Sequence, residues 1–161
     1  SLHDALPISS DLYSYLNPEC EEIVLAVNGY RWPIELYKGF ARIQRIWKKG
    51  DRITVELPMP IRRVLCNEKV EGNRGKVAIE RGPILYCAEW VDNSGSVFDL
   101  TIPDDSELTA FERPYMLGGI TAIHGKAFAA SKEKDLLLIP YYAWAHRGKG
   151  EMRVWLPREE Q

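Results

Sequence analysis

Trp144, His146 and Arg147 sit close together in the run Ile139–Leu156, IPYYAWAHRGKGEMRVWL. An indole can stack on a sugar ring, a guanidinium can donate to its hydroxyls, and an imidazole can serve as a general base. No carboxylate or nucleophile stands at recognisable spacing from His146, so a solvated turn histidine is the simpler reading. Trp144 can also pack across a hairpin against Trp155 as an aromatic pair. Trp32 is a second stacking candidate, and the candidate carbohydrate contacts are therefore Trp144, His146, Arg147 and Trp32. Asp104-Asp105 and Glu107 follow Pro103 without calcium-loop spacing and read as a solvated loop. A glycosidase needs two carboxylates about 5–9 Å apart across a cleft, and the sequence pairs no two of its carboxylates in that way. Cys20, Cys66 and Cys87 form no Cys-x-x-Cys, and their odd number argues against a complete disulfide framework. They read as small buried hydrophobes. Gly148-Lys149-Gly150 lacks the spacing of a phosphate-binding loop. No catalytic residue and no metal ligand is assigned.

These residues are carried by short strands. Glu22–Val27 is rich in β-branched residues and closes on Asn28-Gly29, a hairpin signal. Phe40–Trp47 is a further candidate strand. Arg52–Leu57 alternates, with Ile53, Val55 and Leu57 on one side, which predicts a half-buried strand ended by Pro58 and Pro60. Gly75–Glu89, GKVAIERGPILYCAE, holds two apolar strands joined through Arg81-Gly82-Pro83. Arg81 there could face a substrate, but glycine followed by proline reads first as a bend. Ser106–Pro114 reads as irregular with one helical turn, Ile120–His124 as a strand, and Ala127–Lys134 as strand or short helix. Leu136–Ala143 and Met152–Leu156 read as the last hairpin. No long amphipathic helix with caps is present. The expected class is all-β: an antiparallel, jelly-roll-like β-sandwich with a truncated second sandwich on its N-terminal side.

The chain has 161 residues and a net charge of -2, with 21 basic and 23 acidic residues interspersed, so no basic stripe marks a nucleic-acid partner. Apolar runs such as Ile23–Val27 and Leu136–Ile139 are far short of a membrane span, and no membrane partner is expected.

Four segments in order, AVNG (Ala26–Gly29), GFARIQRIWKKGDRITVELPMPIRR (Gly39–Arg63), GKVAIERGPILYC (Gly75–Cys87) and YYAWAHRGKGEMRVWL (Tyr141–Leu156), resemble the carboxy-terminal β region of family 127 glycoside hydrolases, the bacterial β-L-arabinofuranosidase-like enzymes. The resemblance implies a parent in which a helical (α/α)6 barrel carries catalysis and two β-sandwiches follow it. It also implies a zinc-bound cysteine nucleophile on that barrel, with further cysteines and a glutamate as metal ligands. None of these maps onto Cys20, Cys66 or Cys87. No cofactor is therefore expected within this chain, and zinc is expected in the parent's catalytic domain. On this resemblance, residues 10–62 are the remnant of the middle sandwich and residues 63–161 are the C-terminal sandwich. The implied function is a non-catalytic accessory part of a glycoside hydrolase, with a carbohydrate-binding module as the alternative. Implied partners are the catalytic barrel of the same chain, a second copy of the parent, and carbohydrate. Ser1–Ile8, SLHDALPI, is also the translation of a common sequencing-adapter run, so residues 1–9 are expected to be an assembly artefact. The true amino terminus is then absent and the cellular location stays open, with the cytoplasm favoured.

Overall fold

The structure, a computed structural model, describes residues 11–17 and 22–160; the adapter-like Ser1–Ile8 and Cys20 lie outside them. Every described regular element is a strand or a single turn of 3-10 helix, and the strand pairings are antiparallel with one exception. The expected all-β class is the observed one. Contacts divide the chain into two units, one holding residues 22–59 and the other residues 11–17 and 60–160.

The first described strand, β1 (Tyr13–Tyr15), belongs to the larger unit. The smaller unit holds β2 (Val24–Val27), β3 (Tyr30–Arg31), β4 (Glu35–Tyr37), β5 (Phe40–Arg42) and β6 (Ile53–Glu56). Asn28 and Gly29 turn β2 into β3 with φ of 54° and 82°, the left-handed pair that matches the twist of a two-residue hairpin. The Asn28 side chain fixes that turn to the start of β6: its Nδ2 donates to Asp51 Oδ1 at 2.8 Å, and its Oδ1 accepts from the Arg52 amide at 2.8 Å. Leu25 and Val27 are buried. Their register partners Val55 and Ile53 share their side of the sheet, yet are 52% and 49% exposed. The strand read from Arg52–Leu57 therefore forms, but it is not half-buried. Alternation shows which side of a strand is apolar; it does not show whether a second layer covers that side. Among the described residues β6 pairs only with β2, which leaves its other edge open.

The larger unit adds β7 (Ile61–Cys66), β8 (Lys76–Arg81), β9 (Ile84–Glu89), β10 (Ile102–Pro103), β11 (Thr109–Arg113), β12 (Ile120–Ala129), β13 (Lys132–Pro140), β14 (Met152–Arg153) and β15 (Leu156–Glu159). They run in the order β1-β7-β8-β9-β13-β12-β11. β14 lies along β9, β15 along β8, and β10 runs parallel to β15. Gly82 turns β8 into β9 with a φ of 54°, and its amide donates to Pro60 O at 3.0 Å. The bend read at Arg81-Gly82-Pro83 is thus real, and glycine is what makes the left-handed conformation cheap.

β9 pairs with β8 at Ile84 and Leu85 and with β13 from Tyr86 to Ala88, so it links two parts of the sheet. From Tyr86 onward both of its faces are covered. Tyr86 and Ala88 join Val77, Ile79, Leu100, Leu136 and Leu138 in the main core. Cys87 points the other way, into a smaller core with Ile120, Ile139 and Ala143. Each fully buried aliphatic side chain in these cores contributes roughly 2 kcal/mol of transfer free energy. Asn93 is buried too, and it replaces a strand rung: its side chain exchanges two hydrogen bonds with the Leu137 backbone at 3.0 Å and donates to Glu89 O at 2.8 Å.

Two expectations are corrected and one open reading is resolved. Ile120–His124 is a strand as read, the start of β12, and Ala127–Lys134 is no helix: β12 and β13 form one long hairpin through it, turned by Ala130 and Ser131 at φ of 48° and 63°. Turns of this kind normally carry asparagine or glycine, so no local signal marked this one. Ser106–Pro114 contains β11, paired with β12 over five residues, rather than a helical turn. Leu136–Ala143 and Met152–Leu156 do not pair with each other: β14 pairs with β9, and Tyr141–Ala143 is a 3-10 turn.

Glu80 is buried on the face of β8 that it shares with Tyr15 and Arg62. Tyr15 donates to its Oε1 at 2.7 Å, and Arg62 Nε lies 3.7 Å away. Burial outweighs both partners and holds the carboxyl above its ordinary value. The native state therefore binds this proton more tightly than the unfolded chain does. Glu80's contribution to stability is greatest below about pH 4.5 and shrinks as pH rises through the raised value. Urea unfolding from about pH 4 to about pH 8 should show wild type losing ground to Glu80→Gln as pH rises, and a constant difference between them would contradict this. Amide exchange should be faster in β2 and β6 than in β8, β9 and β13, because the smaller unit has the more open apolar side; equal protection would refute it.

Candidate functional site

The residues Trp144–Arg147 follow the 3-10 turn at the end of β13, beside the end of β9. Arg147 is fully engaged. Its guanidinium bridges the carboxylates of Glu89 and Asp92, with Nε 3.2 Å from Glu89 Oε2 and Nη1 2.8 Å from Asp92 Oδ1. Glu89 is only 3% exposed and also accepts from the Ala145 amide at 3.0 Å through Oε1. The hydrogen bonds it donates to Asp92 first, and then to Glu89, outweigh burial and hold the guanidinium above its ordinary value, so it stays charged. Arg147 is thus an internal tether that fixes the segment 144–148 to the end of β9, and it is not available to sugar hydroxyls.

Trp144 is half-buried, with its ring 6.1 Å from that of Tyr141. It does not pair with Trp155, which stacks on Tyr13 at 5.8 Å. Trp144 and Trp155 cannot meet as a cross-hairpin pair because the strands expected to carry them do not pair. His146 is exposed beside Leu117, Tyr142 and Ala143. Trp32 belongs to the smaller unit, where Arg45 lies 5.9 Å over its ring and 5.2 Å over that of Trp47. The structure thus brings Trp144 and Arg147 to one place and leaves Trp32 in another unit, already occupied by a cation.

Glu89, Asp92 and Lys149 were not singled out by sequence. Glu89 closes an apolar strand, and that oddity was the one available signal. Together with Trp144, Gly148, Gly150 and Met152, Glu89 and Lys149 line an open groove of about 420 Å³. Gly150 rests directly on Trp90: a Cβ there would lie 1.9 Å from the indole nitrogen, so no side chain can stand at this position without displacing the ring.

Nothing here fits a zinc–thiolate centre. Among the described residues no three of His, Cys, Asp or Glu gather around one point. Cys87 is buried, and its thiol is pushed up to about 12, by burial first and then by the Glu89 carboxylate, with Arg147 opposing. A thiol held protonated is a poor nucleophile.

The profile of the glycoside hydrolase family 127 C-terminal domain matches residues 61–157, and that of the β-L-arabinofuranosidase, family 127 middle domain matches residues 14–59. This chain belongs to glycoside hydrolase family 127. A non-reducing end β-L-arabinofuranosidase of Bifidobacterium longum is 33% identical over 83% of the chain and 24% of the relative. A solved family 127 β-arabinofuranosidase is 41% identical, with a TM-score of 0.89 over 94% of this chain and 25% of its own. The family 127 β-L-arabinofuranosidase of Geobacillus stearothermophilus T6 is 33% identical, with a TM-score of 0.80 over 91% and 26%. The family 127 chain thus spans about a quarter of the length of these relatives.

Replacing Arg147 with alanine leaves a buried carboxylate without its cation. Arg147→Ala should lower the unfolding free energy by about 3 kcal/mol in urea titration. The double variant Glu89→Gln/Arg147→Met should recover part of that loss, because the more deeply buried of the two carboxylates left without a cation is then neutral. A single variant as stable as wild type would show that the bridge carries no weight.

Proposed function

We propose that this chain is the accessory, non-catalytic β portion of a family 127 glycoside hydrolase, made of the end of the middle sandwich and the C-terminal sandwich. In this reading hydrolysis is performed by a helical barrel elsewhere in a longer protein, and the β portion supports that barrel or a contact with a second copy. The carrying observation is that the matches fall on the middle and C-terminal domain profiles while spanning about a quarter of relatives named as β-L-arabinofuranosidases. Two features of the structure support the reading. Cys87, the one buried thiol described, is held protonated and has no metal partner group around it. In the smaller unit Ile53, Val55, Leu57 and Phe40 stay exposed, as expected of surfaces that pack against more protein. The zinc-dependent chemistry implied by the family then belongs to the barrel, and no step of it is assigned to residues here.

The purified 161-residue chain should not release nitrophenol from p-nitrophenyl β-L-arabinofuranoside, with or without added zinc. Hydrolysis above background that disappears in Cys87→Ser would overturn the proposal.

A further inference from the structure

The tether explains why Glu89 stands at the end of β9, but not the other groups that line the groove beside it. Its lining combines an indole (Trp144), a buried carboxylate (Glu89), a primary ammonium (Lys149) and a thioether (Met152), with bare backbone at Gly148 and Gly150. Gly148 holds a φ of 100°, which keeps that stretch free of side-chain bulk.

The balance of charge selects the kind of ligand. The lining carries one carboxylate, Glu89, and one ammonium, Lys149, so its own charges sum to zero. A cation would meet the ammonium, and an anion would meet the carboxylate. A neutral polyol meets both hydrogen-bonding senses at once, because each hydroxyl can donate to a carboxylate and accept from an ammonium. Glu89 Oε1 accepts one hydrogen bond, from Ala145, which leaves acceptor capacity on that oxygen. The C–H face of a sugar ring can lie on an indole, and Trp144 supplies one at the wall. The Arg147 bridge holds these parts in place before any ligand arrives, which limits the ordering cost of binding.

We propose that this groove is a saccharide-binding subsite, taking one neutral pentose or hexose unit, with Trp144 as the stacking wall, Glu89 as acceptor and Lys149 as donor. Arg147 is a positioning residue here: it acts through Glu89 and the 144–148 segment. The subsite rests on the family assignment for its sugar class, and it holds whether or not the chain is catalytically silent.

The test is a protein-observed NMR titration of the whole chain with methyl β-L-arabinofuranoside and with cellobiose, using tetramethylammonium chloride as a cationic probe. The Trp144 indole resonance and the Gly148 and Gly150 amides should move with at least one sugar, with a dissociation constant on the order of 1 mM. Lys149→Ala, a change on an exposed turn, should weaken binding about threefold. Trp144→Ala should weaken it about fivefold or more. Well-dispersed spectra of both variants would show that the fold is kept. No movement up to about 20 mM of either sugar would overturn the proposal. So would movement centred on Trp32, or binding untouched by Lys149→Ala in a folded variant, or a stronger response to tetramethylammonium than to either sugar. Hydrolysis, scored separately with the nitrophenyl substrate, bears on the accessory reading alone: an active chain that binds here loses that reading and keeps this one.

Discussion

The larger unit is organised by β9, a strand whose second half has no solvent face. From Tyr86 to Glu89 every residue is buried, so both sides need a cover and every polar group on either side needs a partner. On one side the requirement is met by the aliphatic residues of β8, β12 and β13. On the other it is met by a much smaller group around Cys87, closed by the 3-10 turn Tyr141–Ala143. The strand ends in a carboxylate that faces this second side, and a buried carboxylate without a partner would cost several kcal/mol. Arg147 and the Ala145 amide answer it. The position of the 144–148 segment, and with it the groove, follows from that need.

The same logic accounts for Asn93. The backbone of Leu137 in β13 needs partners for both its amide and its carbonyl, and no strand supplies them at that point. An asparagine side chain offers the same donor and acceptor pair as a peptide group and fills the place. It also donates to Glu89 O, so the turn that carries Asp92 is bound to β9 from two directions.

Local rules carried the sequence reading well where a turn was made by the residues that usually make it. Asn28-Gly29 and Gly82-Pro83 were legible for that reason, as was the strand pair on either side of Gly82. The hairpin of β12 and β13 was not, because Ala130 and Ser131 adopt left-handed conformations that their side chains disfavour. Long-range partners were also hidden. Tyr13 and Trp155 stack from opposite ends of the described chain, and Glu89 finds Arg147 across most of the larger unit. No spacing rule connects such pairs. The family resemblance rested on ordered segments and could name the fold, whereas residue type and a place near an expected hairpin tip put Arg147 among ligand contacts when its charge is consumed internally. Exposure of β6 was missed for a different reason: Ile53 and Val55 have the pattern of a covered strand, and what covers such a strand is not written in it.

The Asn28-Gly29 turn has a chemical lifetime as well as a shape. In an asparagine–glycine pair the glycine nitrogen can attack the side-chain carbonyl and expel ammonia, and hydrolysis of the ring then leaves an acid. Here that reaction would delete the very nitrogen that donates to Asp51 Oδ1 and set a second carboxylate at the same distance, 2.8 Å in the present structure. The folded turn holds the amide at both ends, through Asp51 and the Arg52 amide, and so resists the rotation the attack requires. Ageing damage at this position would thus begin in molecules whose smaller unit has already opened, and each damaged turn would then oppose its own re-closure.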